Sequence, residues 1–270
     1  MKDYIKEQIR NVTDTNLAKC IIREYLQALL LESLQNGKAF ANWAFVGGTA
    51  LRFLYSMPRF SEDLDFSISE AGAEDNFELF MKKAKSDFEA QNYIINVKIK
   101  ESKVVKAAFV KFPGLLYEMG LSSLSSETVS IKLEIDTNPP QGANLQTSIV
   151  RKYVLLNIQH YDKSSLLSCK LHAFFSRKYV KGRDVYDLFW YLSDRTWPGP
   201  NLQFLNNALK QTNWSGPPIT QDNWCGEIIK KLADMNWERV NEDLKPFVEK
   251  YSQLSMITKD SIIAILRERQ

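Results

Sequence analysis

Two adjacent glycines constrain this chain more than any other feature. An uncharged run, Trp43-Ala44-Phe45-Val46, ends on Gly47-Gly48-Thr49, and an apolar stretch continues to Ser56 before Pro58. The run is short and apolar enough for a buried strand, and proline disfavours helix in the residue before it. The expectation is therefore strand, Gly-Gly turn, then helix from Thr49 to Ser56. Fourteen residues (49–62) separate Gly48 from Asp63. From Asp63 to Ile68, Leu64, Phe66 and Ile68 alternate with Asp63, Asp65 and Ser67, the period of a second strand with one buried face.

This order carries chemistry. A strand running through glycines into a helix leaves backbone N–H groups at a positive helix end, where the missing side chains let a phosphate approach. Thr49 adds a hydroxyl donor. On a strand, residues two apart share a face, so Asp63 and Asp65 form a like-charged pair that calls for a positive neutraliser. Magnesium prefers hard oxygen ligands and shares phosphate oxygens, which suits that role. Read singly, the glycine pair is a structural turn and the Asp-x-Asp a solvated strand end. Their joint order is what points to a phosphate and metal site.

Periodicity organises the rest. Residues 14–36 read as an amphipathic helix stopped by Asn36-Gly37, and residues 74–91 as another, with Phe77, Phe80, Met81, Ala84 and Phe88 as its stripe. Between 93 and 158 the period is two, giving strands at Tyr93–Lys100, Ala107–Phe112, Thr128–Asp136 and Val150–Ile158. After Asp162 the pattern is helical throughout: 163–178, 183–194, 201–211, 222–235, 238–250 and 258–268. The expected class is α+β, with a mixed sheet and helices in residues 1–160 and an all-α part in residues 161–270. No internal repeat stands out.

Composition bounds the partners. The 270 residues carry 35 Lys+Arg against 32 Asp+Glu, a net charge of +3, with 44% apolar and 25% charged residues. Those values exclude a disordered tail, a collagen-like fibre and a protein that binds polyanions by bulk charge. Cys20, Cys169 and Cys225 form no CxxC pair, and with only His160 and His172 available a zinc site is not expected. The start lacks the apolar core of a secretion signal, and no window approaches 18 apolar residues, so a soluble cytoplasmic protein without membrane association is expected.

The motifs resemble those of the nucleotidyltransferase superfamily of the DNA polymerase β type, and more narrowly the AbiEii/AbiGii abortive-infection toxin family. The narrower likeness rests on three blocks. They are Gly47-Gly48-Thr49-Ala50-Leu51-Arg52, then Arg59-Phe60-Ser61-Glu62-Asp63-Leu64-Asp65-Phe66, and last Leu166-Leu167-Ser168-Cys169-Lys170-Leu171 leading to Arg183-Asp184-Val185-Tyr186-Asp187-Leu188. Together they bracket about half the chain. Residues 196–270 carry no recognisable motif. The resemblance implies that residues 1–160 are the nucleotidyltransferase domain and that 161–270 complete its cleft.

It also implies roles. Gly47, Gly48 and Thr49 would hold an NTP; Asp63 and Asp65 would be catalytic and bind one or two Mg²⁺. A third carboxylate would come from a neighbouring strand, with Glu134 preferred to Asp136, unless either merely pairs with Lys132 or Lys98. Lys170 would meet the nucleotide phosphates, although a lysine beside an apolar stripe can simply snorkel. Asp184 would line the cleft, with Asp187 as its substitute and a helix-end charge as its plain alternative. Arg52, Arg59 and Ser61 flank the site, either arginine being able to offset a triphosphate. Arg177, Lys178, Lys181 and Arg183 form either a solvated face or a basic wall for a polyanion. His160 and His172, like Trp197, Trp214, Trp224 and Trp237, read as structural.

The implied function is Mg²⁺-dependent transfer of a nucleotidyl group to an RNA hydroxyl, plausibly a tRNA 3′ end, by a toxin with a cognate antitoxin. A protein or small-molecule acceptor, or a non-catalytic nucleotide- or RNA-binding module, are the competing readings.

Overall fold

The computed structural model describes residues 2–269 apart from 71, 101, 103 and 250. The chain divides into two compact units. The first comprises Met1–Ser56, Phe60–Pro139 and Leu145–His160; the second comprises Met57–Arg59, Pro140–Asn144 and Tyr161–Gln270.

The first unit opens with α1 (Lys2–Ile9), which buries Ile5 and Ile9. This helix is an addition to the sequence reading, where the alternation of charge in the first ten residues hid a two-residue apolar face. Helix α2 (Thr15–Asn36) starts where Asp14 accepts from the amides of Asn16 and Leu17, and it closes at Gly37. Strand β1 (Trp43–Val46) runs into α3 (Gly47–Tyr55), so the helix begins on the glycines themselves, two residues before the expected Thr49. Gly47 takes φ +81, which a side chain would resist, and this turns an extended Val46 directly into helix.

Strand β2 (Leu64–Ile68) lies antiparallel to β1 with Val46 opposite Asp65 and Phe45 opposite Phe66. Helix α4 (Phe77–Ala90) covers Trp43, whose ring stacks on Phe77 at 5.9 Å and meets Phe80 edge-on at 5.1 Å. Then come β3 (Asn96–Lys100), β4 (Val105–Pro113), the short α5 (Leu115–Glu118) and β5 (Thr128–Asp136). Strand β5 alternates without a break: Val129, Ile131, Leu133 and Ile135 are buried, while Lys132, Glu134 and Asp136 share the opposite face.

Where one strand was expected over 150–158 there are two, β6 (Leu145–Lys152) and β7 (Val154–Tyr161). The turn between them is Tyr153 at φ +60. Tyrosine is an unusual residue for that conformation, and no Gly, Asn or Pro marked it. The seven strands stand in the order β3-β4-β5-β2-β1-β7-β6. The β2–β5 and β1–β7 pairings are parallel and the β1–β2, β3–β4 and β4–β5 pairings antiparallel, so the sheet is mixed as expected.

The second unit is helical: α6 (Lys163–Ser176), α7 (Gly182–Ser193), α8 (Leu202–Gln211), α9 (Trp224–Ala233), α10 (Trp237–Leu244) and α11 (Lys259–Arg267). The expected helix 238–250 stops at Leu244, where Pro246 breaks the pattern and a 3₁₀ turn takes over; residue 250 lies outside the described residues. Asp162, Asn201, Asn236 and Thr258 each accept a hydrogen bond from an amide in the first turn of their helix. Helix α6 packs on α7 and α8, and α7 on α10. Gly182 makes the last contact possible, because a Cβ there would strike the Val240 carbonyl.

Candidate active site

The first unit gathers the glycine pair and the sheet carboxylates. Helix α3 begins with no side-chain cap, so its first amides retain hydrogen-bonding capacity and its positive end faces the C-terminal end of β1. The Asp65 side chain lies directly against Gly47: a Cβ added there would collide with Oδ2 of Asp65. Val46 is the register partner of Asp65, and on its other side β5 presents Glu134 as the register partner of Asp65. Residues level with one another on adjacent strands point to the same side, so Asp65 and Glu134 share a face. Asp136 stands two residues farther, level with Ser67. Its carboxyl accepts from the Asn138 amide at 2.9 Å, and burial outweighs that bond and raises its pKa. Geometry therefore separates the two third-carboxylate candidates, with Glu134 the one beside Asp65.

The loop holding Asp63 is pinned from two sides. Thr49 is fully buried and its hydroxyl donates to the Asp63 carbonyl. The Gln27 side chain, also buried, donates to the carbonyls of Ser61 (3.1 Å) and Glu62 (2.9 Å). Thr49 thus serves the Asp-x-Asp segment with its hydroxyl and can offer a phosphate only its backbone amide. Ser61 and Asp63 are half-buried.

Arg52 is held by partners inside the first unit. Its Nε donates to Glu24, which is 3% exposed and also receives the Tyr153 hydroxyl at 2.9 Å and the Lys152 ammonium at 3.0 Å. The guanidinium stacks over the Phe60 ring at 3.8 Å. Arg52 is a buried, paired cation of the first unit's interior rather than a solvent-facing partner for a triphosphate. Sequence reasoning missed Glu24, Gln27 and Tyr153. A signal existed for the first two: both are polar yet sit inside the apolar stripe of α2, a placement that requires a partner.

The second unit gathers the remaining residues around Asp187, which is fully buried. Arg59, 2% exposed, grips it through two bonds, Nε to Oδ1 at 2.5 Å and Nη2 to Oδ2 at 2.6 Å. Lys170 Nζ lies 2.7 Å from Oδ2 of Asp187 and 4.0 Å from Oδ1 of Asp184. Arg177 pairs with Oδ2 of Asp184. Burial opposes ionisation of Asp187, but the Arg59 guanidinium and the Lys170 ammonium prevail and hold its carboxyl below the usual range. Arg59, like Arg52, is thus fully engaged within the protein. Asp187 anchors the cluster, while Asp184, in the first turn of α7, is nearer its edge.

His160 is buried and bonded to Ser148 at 2.9 Å, and His172 to Thr212 at 3.0 Å. Trp197 and Trp224 are buried in helix packing.

Asp63, Asp65 and Glu134 are hard oxygen donors of the kind a small divalent cation takes. Among the described residues, however, no three His, Cys, Asp or Glu side chains are already grouped to hold a metal. Glu134 shows why: its carboxylate rests on Lys132 at 2.7 Å. The donor set suits magnesium in chemistry and would need Glu134 to exchange Lys132 for the cation. No described helix is long and apolar enough to cross a membrane.

Among curated proteins none matches the chain. Two crystal structures are similar to it, a candidate nucleotidyltransferase from H. pylori and JHP933 from Helicobacter pylori. Each has a TM-score of 0.57 and 17% identity over 93% of this chain; they are covered over 94% and 91% of their own lengths. At that identity the likeness speaks to fold. The sequence profile of the nucleotidyl transferase AbiEii toxins, of type IV toxin–antitoxin systems, matches residues 29–259. Spanning most of the chain and every block from the glycine pair to Asp187, this match makes the protein a member of the AbiEii nucleotidyltransferase toxin family.

Proposed function

We propose that this chain is a Mg²⁺-dependent nucleotidyltransferase that joins an NMP from an NTP to an RNA hydroxyl, most simply the 3′ end of a tRNA, and that a cognate antitoxin restrains it. The observation that carries the reading is the seat of Asp65, against Gly47 at the start of α3 and level with Glu134. Helix α3 offers a phosphate its amides, yet the carboxylate beside Gly47 would repel one. Asp63, Asp65 and Glu134 would hold a divalent cation that offsets both anions. Bound there, one or two Mg²⁺ would supply Lewis-acid polarisation of the phosphoryl group and offset its charge.

The protein's own residues do the rest. The Gly47 and Gly48 backbone lets the triphosphate approach, and Thr49 and Gln27 hold the Asp63 loop in one conformation. The acceptor hydroxyl attacks the α-phosphorus and gives up its proton to solvent, the α–β phosphate bond breaks, and pyrophosphate leaves. In this reading Asp187 holds the Lys170 ammonium in place at 2.7 Å, with Asp184 4.0 Å away.

The test is to incubate the protein with each α-labelled NTP and total cellular RNA, then treat the products with RNase or protease. RNase-sensitive label supports the proposal. Label removed only by protease, or retained on a small molecule, would move the acceptor to another class.

A further inference from the structure

The second unit carries a cavity of about 940 Å³ that the catalytic reading does not use. It runs along the loop between α6 and α7, the first turn of α7, and the facing sides of α9 and α10. Six cations line it, Lys178, Lys181, Arg183, Lys230, Lys231 and Arg239, against the carboxylates of Glu227, Asp234 and Asp243. Two of those carboxylates are engaged locally: Glu227 with Lys230 at 2.6 Å, and Asp243 with the Gly182 amide at 2.8 Å. The lining therefore holds a net +3, equal to that of the whole 270-residue chain.

The cations are also ordered around an aromatic ring. Tyr179 is 64% exposed, with Lys178 Nζ and the Arg239 guanidinium each 5.5 Å from its centroid. Hydrogen bonds and ring packing hold other parts of the wall. Lys231 donates to the carbonyls of Phe175 (2.6 Å) and Arg177 (3.1 Å), while Trp214 packs on Phe175 at 5.5 Å. The exposed ring is flanked by cations in cation–π contact with it. This arrangement suits a base stacked on the ring with its phosphates against the flanking charges. An acidic peptide would satisfy the charges and leave the ring without purpose.

We propose that this groove binds a single-stranded stretch of polynucleotide, with Tyr179 as the stacking platform and Lys181 and Arg239 as phosphate contacts. The groove's lining includes Gly182 and Arg183, next to Asp184 in the first turn of α7, so a strand lying in it would pass near the Asp184–Lys170 pair. The inference rests on the reading of the acceptor as RNA and gives that acceptor its place on the protein.

The experiment is fluorescence anisotropy of a 5′-labelled single-stranded RNA of about 12 nucleotides with the full chain. Tyr179→Ala should weaken binding about ten-fold. Lys181→Ala and Arg239→Ala should each lower the slope of log affinity against log salt by about 0.7. Circular dichroism checks that these surface variants fold. Unchanged binding by all three overturns the proposal. So does equal displacement by polyglutamate, or displacement by ATP alone that is sensitive to the same variants. An Asp65→Asn protein that binds RNA as wild type but transfers no nucleotide supports both readings. Groove binding without any transfer to RNA leaves the groove standing and removes the catalytic proposal.

Discussion

Asp65 lies so close to Gly47 that position 47 has no room for a side chain. The backbone there is also left-handed, at φ +81. Gly47→Ala is expected to cost about 1–2 kcal/mol of stability from backbone strain and to displace the Asp65 carboxylate. Thermal unfolding should show a modest loss, and nucleotide transfer a much larger one. Transfer at the wild-type rate would mean that the seat of Asp65 does not matter.

Asp187 is the buried centre of two ion pairs, and Asp187→Asn removes the charge that Arg59 grips through two hydrogen bonds. Stranding buried cations in this way should cost about 3–5 kcal/mol in urea unfolding. The pH dependence has a definite sign. The folded carboxyl is held below its unfolded value, so its stabilisation is complete above about pH 4 and is lost as pH falls through the lower, folded value. Wild type should therefore lose stability on acidification in that window more steeply than Asp187→Asn.

Arg52 and Glu24 make the same point in the first unit. Arg52→Ala should cost about 3 kcal/mol by leaving Glu24 underpaired, with no change in KM for the NTP. A raised KM at unchanged stability would restore Arg52 as a triphosphate ligand.

Glu134 and Asp136 differ in what they face, and their variants should differ too. Glu134→Gln should raise the Mg²⁺ concentration needed for half-maximal transfer at least about ten-fold. Asp136→Asn should leave it unchanged. The reverse result would make Asp136 the third carboxylate.

Much of this was legible in the sequence because it is local. The glycine pair, the alternation of Leu64, Phe66 and Ile68, and the stripe of α2 announce their elements within a few residues. Tyr153 escaped because a tyrosine at positive φ has no turn signature; the tertiary bond of its hydroxyl to Glu24, far off in sequence, accompanies it. The engagement of Arg59 escaped for the same reason, since its partner Asp187 is 128 residues away and nothing adjacent to either announces the pair. The sequence favoured Glu134 over Asp136, but the pairing of Glu134 with Asp65 lies in strand register, which a single strand does not encode.

Metal held by Asp63 and Asp65 is proposed to drive nucleotide transfer. The most direct measurement is incorporation of α-labelled NTP into RNA by Asp63→Asn and Asp65→Asn proteins that unfold at the wild-type temperature. Each variant should fall by at least about a thousand-fold, to background. Labelling by both at the wild-type rate would contradict the claim.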